Sequence, residues 1–145
     1  MHNRLNLAKA DPKAYEAMLG LEKYLAASGL DKKLYELIKT RASQINGCAY
    51  CINMHTRDAM KIGETPQRLF LLDAWRETDL YTEKERAVLA ITEAMTLIAD
   101  SPVPDEIYNT AKEQLTDKEL AAVIMAIVTI NGWNRIAITL QNPLD

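Results

Sequence analysis

Both cysteines of this chain, Cys48 and Cys51, stand three residues apart, and His55 follows the second by four. On a helix, steps of three, four and seven return to one stripe, so the three side chains would share a face. A three-residue step rises about 4.5 Å along the axis. That suits a disulfide, whose Cα atoms lie roughly 4.4–6.8 Å apart. The spacing therefore predicts a redox dithiol with a base one turn beyond it. The thiolate is the nucleophile, and a free thiol with a pKa of about 8.5 is mostly protonated at neutral pH. Two features would shift Cys51 toward thiolate. The first turn of a helix favours negative charge through its unpaired N–H groups and dipole, and His55 can accept the proton or stabilise the anion.

Glu36 enters through chain geometry. Asn46-Gly47 breaks the helical pattern, with Glu36 ten residues before the break and His55 eight after it. At 1.5 Å per residue these are roughly 15 and 12 Å from the turn, close enough in level for side chains to meet if the two helices fold back on each other. A carboxylate there can orient the imidazole, raise its basicity and complete a relay from Glu36 through His55 to Cys51.

The elements that must hold these residues all read as helices, since apolar residues recur at helical spacing and no stretch alternates long enough for a strand. Asp11-Pro12 starts a helix through Tyr15, Met18, Leu19 and Leu25 to Ser28, stopped by Gly29, with Gly20 read as a point of close packing. Asp31 opens a second, with Leu34, Leu37, Ile38 and Ile45 on one face. The third carries the dithiol to Ile62, with Gly63 as its stop. Thr65-Pro66 begins a short fourth through Leu69, Phe70 and Leu72. Thr82-x-x-Glu85 and Thr116-x-x-Glu119 are capping boxes. The first opens a helix with Val88, Ile91, Met95 and Ile98 in a stripe, ending before Ser101-Pro102, and the second launches a buried final helix. Between them, Pro104-Asp105-Glu106 begins another, through Ile107 and Leu115. The expectation is one all-α domain over residues 1–145, a bundle of six to seven helices.

Composition narrows the class. The chain has 145 residues, 48% hydrophobic and 26% charged, which fits a globular domain rather than a disordered chain. A net charge of −3 without a basic run argues against nucleic acid as a partner. The N-terminal residues lack the apolar core of a secretory signal. The apolar run from Leu120 to Ile130 is shorter than the ~20 residues that cross a bilayer, so no membrane partner is expected. The cytoplasm is the expected compartment, where a cysteine pair points to catalysis or metal binding rather than a structural staple.

Glu36, then eleven residues, then Cys48-x-x-Cys51-x-x-x-His55 resembles the signature of the AhpD-like alkylhydroperoxidases, within the carboxymuconolactone decarboxylase superfamily. The segments 41–51, Trp75-Arg76-Glu77, Glu85-Arg86-Ala87-Val88-Leu89 with Thr92-Glu93, and Asn131-Gly132-Trp133-Asn134-Arg135 are family-like too, so the resemblance covers about residues 10–140. It implies an AhpD-like helical fold, a homo-oligomer (trimer or hexamer), and a peroxidase without a cofactor. By that carry-over Cys51 is peroxidatic and becomes a sulfenic acid, Cys48 resolves it as a disulfide, and Glu36 and His55 carry protons. A lipoylated or thioredoxin-like dithiol protein would then reduce the disulfide. Tyr50 departs from the pattern: the best-known members have a second histidine there, and a phenol cannot take a proton at neutral pH. It reads as a packing residue and a subfamily difference.

Three other readings stay open. The same pair can serve a dithiol–disulfide redox protein or sensor without turnover. The superfamily's namesake decarboxylases act on a lactone acid without a CxxC pair. A zinc or structural site would draw on Cys48, Cys51, His55 and Glu36, the only ligands in range of a metal that wants four. Asn131, Asn134 and Arg135 read as structural, at a kink, a close approach or an interface ion pair, with a functional role for Arg135 as the alternative. His2 reads as a terminal bystander.

Overall fold

The structure is a computed structural model and describes residues 4–145; His2 lies outside the described residues. Helix α1 (Leu7–Ala10) leads into α2 (Pro12–Ala27), α3 (Lys32–Asn46), α4 (Ala49–Lys61) and α5 (Pro66–Phe70). A 3₁₀ segment (Leu72–Glu77) then precedes α6 (Glu83–Thr96), α7 (Asp105–Gln114) and α8 (Asp117–Leu140). Six of these helices exceed seven residues, and no strand occurs among the described residues. The all-α expectation holds.

The caps act as the sequence implies. Asp11 caps α2 ahead of Pro12, Asp31 accepts the Leu34 N–H at 3.0 Å to start α3, and both capping boxes form in full. Two elements escaped the periodicity. α1 is a single turn capped by Asn6, too short to show a period, and the 3₁₀ segment follows a different one.

Helix α3 is the axis of the fold and is buried on two sides. Leu34, Ile38 and Ala42 face a large cluster with Val88, Ile91, Val123 and Ile127, while Leu37 turns into a smaller one with Leu72, Trp75, Tyr81 and Leu89. Glu36, Lys39, Thr40 and Ser43 on the same helix are buried too, so its polar residues face neighbours rather than water.

Several expectations need correction. α6 ends at Thr96 and gives way to turns, which leaves Ile98 exposed; Pro102 keeps the preceding backbone out of helical geometry. The expected fourth helix, α5, stops at Phe70 instead of running through Leu72, which opens the 3₁₀ segment, and it turns Leu69 inward while Phe70 is 80% exposed. Along α2 only Leu25 is buried, while Tyr15 is exposed and Met18 and Leu19 are half-buried, so this helix lies over the bundle. A side chain at Gly20 would meet open space, which removes close packing as its explanation. The last helix runs 24 residues, and by length and composition it could cross a membrane. Half of its most apolar window is buried inside the fold, with Val128 and Ile138 outward, so it is less thoroughly buried than expected.

Helix α8 is locked to the end of α3 by amides. Asn46 Nδ2 donates to Asn131 Oδ1 and Asn134 Oδ1, both at 2.9 Å, and buried Asn134 donates to Ser43 Oγ at 3.0 Å. Gly132 lets α2 approach, since a Cβ there would sit 3.1 Å from Met18 Cε. The structural reading of this segment therefore holds as close approach. Arg135 is exposed and donates to its own helix at Asn131, so no brace on Glu36 forms.

Candidate active site

Gly47 makes the hairpin that builds the site. Its backbone is left-handed (φ +72°), a conformation that costs glycine little, and it reverses the chain between α3 and α4. The Cys48 N–H then bonds back to the Ser43 carbonyl at 3.0 Å, so the chain enters α4 with Cys48 as N-cap and Cys51 in the first turn. The two cysteines are joined by a disulfide with Cα atoms 5.3 Å apart, and the Cys51 N–H donates to Cys48 Sγ at 3.3 Å. The redox-pair geometry anticipated from the spacing is present.

The same hairpin brings Glu36 to His55. Glu36 Oε2 lies 2.9 Å from His55 Nδ1, and each residue is only 8% exposed. A neutral imidazole bonded this way donates from Nδ1 and leaves Nε2 as the acceptor. Glu36, one of many carboxylates by sequence alone, is thus a buried partner of the histidine.

Cys48 is 1% and Cys51 4% exposed, so bulk water hardly reaches the sulfurs. Cys51 borders a pocket of about 330 Å³ that Cys48 does not touch. Tyr15, Tyr50, Met54 and Trp133 line it together with His55, Glu36 and Asp58. Tyr50 packs against the main core and also faces this space, in keeping with its packing role.

Around the pocket sits a second buried group that sequence reasoning missed. Glu22 accepts from Tyr35 Oη, Lys39 Nζ and Trp133 Nε1, the last at 3.0 Å, and so ties α2, α3 and α8 together. Lys39 has no exposed surface, and its ammonium lies 4.5 Å from the Tyr35 ring centroid. Burial pulls the Lys39 ammonium below its usual range, with Glu22 opposing. Burial pushes Glu22 the other way, but the Lys39 charge and the three donors outweigh it and hold the carboxyl below normal. Burial and the hydrogen bond to Glu22 push the Tyr35 phenol well above its ordinary value. Asp58, three residues past His55 on the same face, was legible by helix spacing and went unread. Glu22 and Trp133, separated by 111 positions, carried no such signal.

The disulfide takes up both sulfurs, so in this state the Cys48, Cys51, His55 and Glu36 set weighed for zinc offers no thiolate. Donor atoms of Glu36, His55 and Asp58 lie within 4.8 Å of one another and form the group that an ion would meet.

A disulfide-forming cysteine pair at a helix start, followed one turn on by a carboxylate-held imidazole inside a helical bundle, is an AhpD-like arrangement. The chain belongs to the carboxymuconolactone decarboxylase family, whose profile matches residues 12–94. It is 42% identical over 142 residues to the uncharacterized protein YdfG of Bacillus subtilis (strain 168), covering 98% of this chain and 97% of that one. A crystal structure from Agrobacterium tumefaciens, of a protein of unknown function provisionally named for antioxidant defence (AhpD), matches with a TM-score of 0.94. Its identity is 42%, over 98% of this chain and 97% of the other. An uncharacterized peroxidase-related protein with an alkylhydroperoxidase AhpD core, from Ralstonia eutropha JMP134, has a TM-score of 0.82 at 19% identity, over 95% and 74% of the chains. At that identity the likeness speaks to the fold alone.

Proposed function

We propose that this protein is a thiol-dependent peroxidase that reduces hydroperoxides at Cys51. One observation carries the reading: of the two bonded cysteines, Cys51 and not Cys48 lines the pocket that also holds the Glu36–His55 pair. In the reduced protein His55 Nε2 takes the Cys51 proton, with Glu36 steadying the imidazolium. The thiolate attacks the terminal oxygen of R–O–O–H, the O–O bond breaks, and the proton held by His55 passes to the leaving oxygen to give R–OH. Cys51 is left as the sulfenic acid. The Cys48 thiol then displaces hydroxide from that sulfur, which leaves as water with the thiol's proton, and the disulfide closes. A dithiol donor restores both thiols and is itself oxidised to a disulfide.

The burial of both sulfurs bears on the donor. A reductant must reach Cys51 through the pocket, which suits a slim dithiol arm such as a lipoyl group better than a cysteine held on the face of a thioredoxin-like fold. The setting proposed is the reducing cytoplasm. The assembly proposed is a homo-oligomer, trimer or hexamer, and light scattering at several protein concentrations checks it. The assay that tests the whole reading is hydroperoxide consumption with lipoyl, thioredoxin and small-thiol donors in parallel. Sustained turnover fastest with the lipoyl donor is expected. A single oxidation without turnover under every donor would instead make the protein a redox sensor.

A further inference from the structure

We infer that the pocket over Cys51 takes neutral, ring-bearing ligands and turns away anionic ones, which on the hydroperoxidase reading makes the substrate a neutral aromatic or similarly bulky organic hydroperoxide. Shape supplies the first argument. The only described cavity that Cys51 lines is the one of about 330 Å³. That is within the usual span for a bound small molecule, roughly 300–1,000 Å³. Hydrogen peroxide would leave most of it unfilled.

The walls supply the second. Tyr15 and Trp133 meet edge to face with centroids 5.7 Å apart, and Trp133 is held in place by its bond to Glu22. Tyr50 and Met54 continue this surface toward the cysteine on α4. Such walls reward a flat apolar body, and Met adapts to its outline. Binding energy from the body of a substrate can be used to orient its reacting bond, an option that hydrogen peroxide lacks.

Charge supplies the third. Glu22, Glu36 and Asp58 line the pocket, and no lysine or arginine among the described residues does. Lys39 offsets Glu22 but is wholly buried and committed to it. The lysines of this region, Lys32 and Lys61, border a neighbouring cleft that shares Glu22, Tyr35, Glu36 and Asp58 but not Cys51. An anionic ligand entering the pocket would lose hydration and face two carboxylates; the cation paired with Asp58, Lys61 at 3.9 Å, is itself exposed and does not line the pocket. That also weighs against a lactone-acid substrate.

Two matched measurements test this. In the first, reduced protein is assayed under one dithiol donor with cumene hydroperoxide, its 4-carboxylate analogue and hydrogen peroxide. The expected kcat/KM is highest for the neutral aromatic compound, by about tenfold or more over each of the others. Asp58→Asn should narrow the gap to the carboxylate, and Tyr15→Ala should lower the ratio of cumene hydroperoxide to hydrogen peroxide. Equal rates for the neutral and carboxylate compounds, or a faster carboxylate, would overturn the inference. In the second, 2-phenyl-2-propanol and its 4-carboxylate are titrated into the oxidised protein by NMR, where no turnover occurs. The neutral alcohol should shift the Tyr50, Met54 and Trp133 signals and bind about tenfold tighter or better; equal binding overturns the pocket preference. If no peroxide oxidises the thiols yet the neutral alcohol binds selectively, the peroxidase reading falls and the ligand preference stands.

Discussion

Two polar networks in this molecule look alike in composition and differ in one respect. Beside α5 and α6, Arg68 pairs with Glu64 at 2.7 Å, binds Glu85 and the Leu80 carbonyl, and lies 4.7 Å over the Tyr81 ring. Nearby, Glu93 accepts from Arg41 at 2.8 Å, from Trp75 Nε1 at 3.2 Å and from Arg76, whose guanidinium stacks on Trp75 from one ring contact while Arg86 makes another. Every carboxylate there is matched by arginines. At the dithiol no arginine answers the carboxylates: Glu36 has His55 and Asp58 has the exposed Lys61 at 3.9 Å, His55 keeps one ring nitrogen uncommitted, and Glu36, His55 and Asp58 border an open pocket. Saturated networks fasten elements together; a network with unused donors and acceptors facing a cavity is equipped to act on something else.

Mutations can break that contrast, and the largest effect belongs to the sulfur. Cys51→Ser should abolish peroxide turnover while leaving the circular dichroism and melting curve of the reduced protein nearly unchanged. Next come His55→Ala and Glu36→Gln, each expected to lower kcat/KM by about 10²- to 10⁴-fold, the usual contribution of a positioned proton carrier. The alkylation–pH profile of Cys51 should move upward in His55→Ala, and an unmoved profile would take the imidazole out of the mechanism.

On the saturated side the pattern should invert. Arg68→Ala strips the partner from Glu64, which is 7% exposed, and should cost about 3 kcal/mol of stability, at the low end for a broken buried pair. Denaturant melts measure this, and the specific activity of the folded fraction should not change. Loss of activity without loss of stability would erase the distinction between the two networks.

The smallest effect is in acid. Burial raises the Glu85 and Glu93 carboxyls, but hydrogen bonds and charge from their arginines outweigh it and hold both below the ordinary range. A group depressed in the folded state adds stability that is complete above its unfolded pKa, about 4.3 for Glu, and is lost as pH falls through the folded value. Stability should therefore hold from pH 7 to about 5 and decline below about 4 as these groups titrate. Glu85→Gln should flatten that decline in melts recorded across pH.

How much of this was legible beforehand follows the range of the interaction. Caps, the dithiol spacing and the His55 step are local, and counting residues from Asn46-Gly47 brought Glu36 to the right level because a helical hairpin has a fixed rise. The segments around Trp75, Arg86 and Glu93 stood out as family-like without a visible reason; their meeting in one arginine network supplies it. Lys39 was hidden because a lysine on a helix ordinarily points to water, and only the fold shows Glu22 waiting for it across α2. Ile98 was placed in the apolar stripe by its spacing, and Leu72 in the fourth helix by its apolar character, neither of which says where a helix stops.

The central claim is that Cys51 is the sulfur that meets the peroxide. Its most direct test is Cys48→Ser treated with cumene hydroperoxide and a dimedone probe, followed by mass mapping of the adduct. One adduct on Cys51, formed in proportion to peroxide added, is the predicted result. A folded, reduced variant that yields no adduct at Cys51 contradicts the account.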